Sequence, residues 1–175
     1  RSMPDPLFVF LLAIVAAVVI ILSGLVPLRQ ALARRALERE GDAVTPGTLL
    51  RALKGRRPIL LAVDTSGSMY TFRDVREAWM QAFREAGARV VTFDHELHLE
   101  PSDYIGGGTN FEAVRTYVES LPTHPVVVML TDGVGVRFEP AKPDLWHWAL
   151  VDDGFLQLAT KHLQGMSTYT VHQEV

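Results

Sequence analysis

Two five-residue runs, Ile59-Leu60-Leu61-Ala62-Val63 and Val126-Val127-Val128-Met129-Leu130, carry no polar side chain. A strand with one wet face alternates apolar and polar residues, so an unbroken apolar run has to be covered on both faces. That is the condition of a strand inside a parallel sheet, with crossover helices on either side. The remainder of the chain after Arg57 supplies the helices. Phe72 to Gly87 repeats Val75, Trp79, Ala82, Phe83 and Ala86 at helical spacing. Asn110 to Ser120 carries the stripe Phe111, Val114 and Val118, continued by Leu121. Arg89–Phe93, Leu145–Val151 and Thr168–His172 read as further strands, Glu96–Leu99 as an edge strand, and Phe155–Leu163 as a helix. Strands alternating with helices predict an α/β fold, a doubly wound, mostly parallel, Rossmann-like sheet flanked by helices. Right-handed crossovers bring all the strand C-termini to one edge, where ligands bind at the reversal of strand order. Asp64, Asp94, Asp132 and Asp152 each follow a strand and are expected along that edge.

The first third of the chain has a different character. Leu7 to Val26 is apolar apart from Ser23 and Gly24, carries no charge, and is bracketed by Pro6 and Pro27. At ~1.5 Å per residue, about 20 helical residues cover roughly the 30 Å hydrocarbon core of a bilayer. Residues 7–27 therefore read as a transmembrane helix after a short tail, 1–6. A signal peptide fits less well, because Asp5 sits in the start and no Ala-x-Ala cleavage pattern follows. Residues 28–56 read as a helical juxtamembrane linker. Leu28 to Glu40 continues the helical composition up to Gly41. Thr45-Pro46 is an N-cap followed by proline at the first helical position. Leu49, Leu50 and Leu53 then share a face, and Gly55 ends the segment. That short helix packs either on the following domain or on the membrane surface. Arg29, Arg34, Arg35 and Arg39 come directly after the span, so the positive-inside rule puts the globular domain, residues 57–175, in the cytoplasm and the N-terminus outside. The formal net charge of −3 gives no nucleic-acid footprint, and the absence of cysteine removes thiolate metal sites.

Three segments at the expected sheet edge carry the chemistry. Asp64-Thr65-Ser66-Gly67-Ser68 follows the first apolar run, Gly106-Gly107-Gly108-Thr109 follows the edge strand, and Leu130-Thr131-Asp132-Gly133 ends the second run. Asp64, Ser66, Ser68, Thr109 and Asp132 offer hydroxyls and carboxylates only, a hard-oxygen set that suits Mg²⁺, with Mn²⁺ and Ca²⁺ as alternatives. Gly67 is expected to bend the loop so that both serine hydroxyls face one point, and the triple glycine to let its loop approach closely. His95 and His98, three apart on a strand, are expected on opposite faces and so unable to chelate a metal together. Trp146 and Trp148 are expected as core or interface filler, Asp94 and Asp152 in solvent at the rim.

These segments resemble the three parts of the metal-ion-dependent adhesion site (MIDAS) of von Willebrand factor A (VWA) domains, in the family's order, from about Arg57 to Val175. The resemblance implies a six-stranded doubly wound sheet with one antiparallel edge strand. It implies that Ser66, Ser68 and Thr109 contact Mg²⁺, that Asp64 and Asp132 act largely through water, and that a partner protein donates an acidic residue to the metal. The Pro143-Asp144-Leu145-Trp146-His147-Trp148 segment is similar to an A-like domain of predicted bacterial metallopeptidases, but no His-Glu-x-x-His is present. In bacteria the family implies a MoxR-type AAA+ ATPase as a working partner. The expected function is a membrane-tethered binding module and not an enzyme. The alternative is a Mg²⁺-dependent or aspartyl-type hydrolase using Asp64 and Asp132. Against it, Ser66 stands where Asp-Thr-Gly loops have glycine, and neither a P-loop nor a nucleophile–base pair appears.

Overall fold

A computed structural model of the protein describes residues 44–56, 58–102, 106–134, 138–151, 163 and 165–171. The chain divides into two compact units, Arg1–Gly41 and Asp42–Val175. The first unit, with the apolar stretch 7–27 and the helix expected over Leu28–Glu40, lies outside the described residues. So do Asp152 and all of the helix expected at Phe155–Leu163 except Leu163 itself. Among the described residues no helix is long and apolar enough to cross a membrane.

The second unit is an α/β fold. In chain order it contains α1 (Pro46–Ala52), β1 (Ile59–Asp64), a 3₁₀ turn (Gly67–Phe72), α2 (Arg73–Glu85), β2 (Arg89–Phe93) and β3 (Leu97–His98). Then follow α3 (Phe111–Ser120), β4 (Val126–Thr131), a 3₁₀ turn (Pro143–Leu145), β5 (Trp146–Leu150) and β6 (Ser167–Thr170). The strands form one six-stranded sheet in the order β3-β2-β1-β4-β5-β6. All neighbours are parallel except β3, which runs antiparallel to β2 through Thr92↔His98 and Phe93↔Leu97. The chain winds outward from β1 to β2, then crosses back to β4 and outward to β6. Strand order reverses between β1 and β4.

The apolar runs lie where their composition requires. β4 is buried along its whole length and β1 from Leu60 to Asp64. Leu60, Ala62, Val91, Phe93, Val127 and Met129 face a core closed by Phe111, Val114 and Val118 of α3. Side chains alternate across a strand, so Leu61, Val63, Val128 and Leu130 face the opposite layer, and α2 buries Val75, Trp79, Met80 and Phe83. Trp146 and Trp148 are core residues, as expected. With Phe111 and Phe138 they make an edge-to-face cluster, with centroid separations of 4.7 Å for Phe138–Trp146 and 5.0 Å for Phe111–Trp148.

The segment before β1 is part of this unit. Thr45 and Thr48 form a reciprocal capping box at the start of α1, with Thr45 Oγ1 accepting the Thr48 N–H at 3.2 Å. Leu49 and Leu53 are buried, and α1 packs against α2. Val44 lies beside Val171 in a parallel bridge, its N–H donating to the Thr170 carbonyl at 2.6 Å. Of the two placements open to this helix, the structure has it packed on the domain.

Candidate functional site

The site grows from the ends of β1 and β4. Their register pairs Val63 with Leu130, which brings Asp64 beside Thr131 at the reversal of strand order. The Thr131 hydroxyl donates to Asp64 Oδ2 at 2.6 Å and in turn accepts the Gly133 N–H at 3.1 Å. Asp64 Oδ1 accepts the Ser66 N–H at 2.8 Å. Both carboxylate oxygens are therefore held by protein donors, and the residue is 0% exposed. Burial pushes the Asp64 pKa above its ordinary 3.8 and the negative charge of Asp132 adds to this, while hydrogen bonds from Thr131 and Ser66 oppose it. The result is a buried carboxylate under-compensated for charge, with a second acid nearby.

The hydroxyls stand at the mouth. Ser66 is 2% exposed, Ser68 is exposed, and their Oγ atoms are 3.2 Å apart. The 3₁₀ turn that follows is pinned by buried Met69, whose N–H donates to the Ser66 carbonyl at 3.0 Å. Asp132 is 3% exposed and uses Oδ1 to accept the Val134 N–H at 3.0 Å. Gly133 takes a left-handed φ of 77° at that turn.

The glycine loop lies against the Asp64 loop. The Gly106 N–H donates to the Thr65 carbonyl at 2.9 Å, and the Gly67 N–H to the Gly107 carbonyl at 3.4 Å. Beyond it the Asn110 N–H donates to the Asp94 carbonyl at 2.7 Å. Thr109, half-buried, lies between these two anchors. Asp64, Ser66, Ser68 and Asp132 thus gather at the ends of β1 and β4, and Thr109 is carried on a loop tied to the same place. Two carboxylates and three hydroxyls could hold a hard divalent cation there, and a positive charge would offset the strain that burial puts on Asp64. Among the described residues no group of three or more His, Asp or Glu side chains is placed to hold a metal ion.

Three expectations about this edge change. Gly67 has no positive φ, and a Cβ there would meet only the Gly107 carbonyl at 3.9 Å. The conformationally demanding glycine is Gly107, with φ 73° and a hypothetical Cβ 2.8 Å from His95 Nδ1. Asp94 is not solvated but 1% exposed. His95 and His98 do not point apart. His95 belongs to the turn before β3, where the two-residue alternation of a strand does not apply, and both rings approach Asp94 Oδ1, at 3.0 and 3.4 Å. Thr131 also carries more than its place in the motif suggested. The two apolar runs end one residue before Asp64 and Thr131 respectively, but the pairing of these two side chains follows from the register of β1 on β4.

Comparison with protein-family models, with curated proteins and with solved structures returned no match.

Proposed function

We propose that this chain is a membrane-tethered VWA-like module that binds a partner protein through a Mg²⁺-dependent MIDAS. The observation that carries the reading is Asp64. It is a fully buried carboxylate at the sheet's switch point, raised in pKa by burial and by Asp132, with the Ser66 and Ser68 hydroxyls paired at the mouth. Ser66, Ser68 and Thr109 would hold the ion, with Asp64 and Asp132 behind them. Bound there, Mg²⁺ supplies the missing positive charge and a coordination position for an acidic side chain of the partner. The protein's own contribution is placement. Thr131 and the Ser66 N–H fix Asp64, and the backbone bonds from Gly67 and Gly106 set the two loops against each other.

The hydrolase alternative asks Asp64 to reach a substrate. Full burial, with both oxygens hydrogen-bonded to the protein, supports a positioning role instead. The module is anchored by residues 7–27 with the domain on the cytoplasmic side, and a MoxR-type AAA+ ATPase is the partner class in view. A pull-down with the full chain tests the reading. Partner capture is expected with Mg²⁺ and is expected to disappear with chelator and in Ser66→Ala. Capture unchanged by both would overturn it.

A further inference from the structure

A second polar cluster lies beside the candidate site and shares none of its five side chains. Asp94 follows β2, and its Oδ1 accepts the Glu96 N–H at 2.9 Å. The same oxygen lies 3.0 Å from His95 Nδ1 and 3.4 Å from His98 Nε2. One buried oxygen thus faces two imidazoles, with side-chain exposures of 62% for His95 and 32% for His98. Burial by itself would raise the Asp94 pKa, but the Glu96 N–H and the two rings outweigh it and hold the carboxyl below its ordinary 3.8. Glu96 adds a carboxylate 3.8 Å from His95 Nε2. From the α3 side comes Asn110, which is uncharged, and the next charges on that helix, Glu112 and Arg115, pair with each other. Among the described residues, the charges facing the two imidazoles are therefore Asp94 and Glu96, both negative.

The same turn grips the glycine loop. The Asp94 carbonyl accepts the Asn110 N–H at 2.7 Å, and the His95 carbonyl accepts from Asn110 Nδ2 at 3.1 Å. The His95 ring occupies the space a side chain at Gly107 would need. Gly106 and Gly107 then bond to Thr65 and Gly67. A contiguous set of contacts runs from the two imidazoles to the Asp64 loop.

Imidazole is the side chain whose ordinary titration falls between pH 5 and 8. Both ring nitrogens, His95 Nδ1 and His98 Nε2, lie within ion-pair distance of Asp94 Oδ1, which already accepts the Glu96 N–H. Protonation of either ring places a positive charge beside this buried carboxylate. An attraction between opposite charges, absent for the neutral rings, then holds the imidazoles against the carboxylate.

We propose that Asp94, His95 and His98 form a proton-operated latch on the Gly106–Asn110 loop, tightening as the imidazoles take up protons and loosening as they release them. Any effect on cation capture rests on the metal-site reading, since Thr109 rides on this loop. The latch itself needs no cation.

The test uses the full chain in chelator. Backbone ¹⁵N order parameters of Gly107, Thr109 and Asn110 are measured at pH 5.5 and pH 8. Higher order is expected at pH 5.5, with the difference lost in His95→Gln/His98→Gln and reduced in His98→Gln alone. The single variant keeps the test decisive if the double variant does not fold. Equal order at the two pH values in the parent chain overturns the latch, as does a pH difference that persists undiminished in His98→Gln. Because no metal is present, failure leaves the cation reading standing, whereas failure of Mg²⁺-dependent capture leaves the latch standing.

Discussion

Three aspartates that follow strands make the same local turn. Asp64, Asp94 and Asp132 each use Oδ1 to accept the N–H two residues on, at 2.8, 2.9 and 3.0 Å. This Asx turn is why aspartate, not glutamate, suits these positions. The shared geometry does not give a shared electrostatic sense. Asp64 has a raised pKa, so the folded protein holds that proton more tightly than the unfolded chain. Its ionisation costs stability as pH rises from 3.8 through the raised value. Asp94 has a lowered pKa, so its contribution is in place above 3.8 and is lost as pH falls through the lowered value. Denaturant titrations between pH 3 and 7 in chelator should separate the two. Asp64→Asn should flatten the decline above 3.8 and be at least as stable as the parent at pH 7, whereas Asp94→Asn should lose the acid-side gain. The glycines divide in the same way. Gly107→Ala meets both a left-handed φ and a 2.8 Å clash and should cost more than about 1 kcal/mol. Gly67→Ala, with 3.9 Å of clearance, should be nearly neutral in the same unfolding measurement.

At the scale of elements, legibility followed how many constraints each segment carried. β1 and β4 could be read directly, because an unbroken apolar run has few ways to avoid burial on both faces. α3 could be read from Phe111, Val114 and Val118. α1 could be read as a helix from Thr45 and Pro46, but its packing could not, since a three-leucine stripe suits a membrane surface as well as a protein one. The structure resolves this through Leu49 and Leu53, buried at 0% and 2% exposure. The site loops were recognisable by composition, yet the partners inside them were not. The Asp64–Thr131 bond depends on strand register, and the meeting of His95 and His98 on Asp94 depends on where a strand begins. A period-two argument applied one turn too early separates two residues that lie together. The integration of α1 has a measurable consequence. Leu49→Ala should lower the unfolding free energy by roughly 2–5 kcal/mol. Thr45→Ala, which removes the capping box, should lower it by about 1 kcal/mol. A fragment beginning at Pro58 should be less stable than one beginning at Asp42, because it lacks the Val44–Val171 bridge and both buried leucines.

For the molecule as a whole, the order β3-β2-β1-β4-β5-β6 is what makes a site possible. The chain departs from β1 in one direction and from β4 in the other, which makes their C-terminal ends the switch point at which ligands bind in open α/β sheets. The side chains gathered there are the buried carboxylates of Asp64 and Asp132 and the hydroxyls of Ser66, Ser68 and Thr109. The direct measurement is calorimetric titration of Mg²⁺ into the full chain, alongside Ser66→Ala and Asp132→Ala variants shown to be folded. Saturable binding to the parent chain, lost or at least tenfold weaker in both variants, is the predicted result. No binding of Mg²⁺, Mn²⁺ or Ca²⁺, or binding that both variants retain in full, would contradict the account.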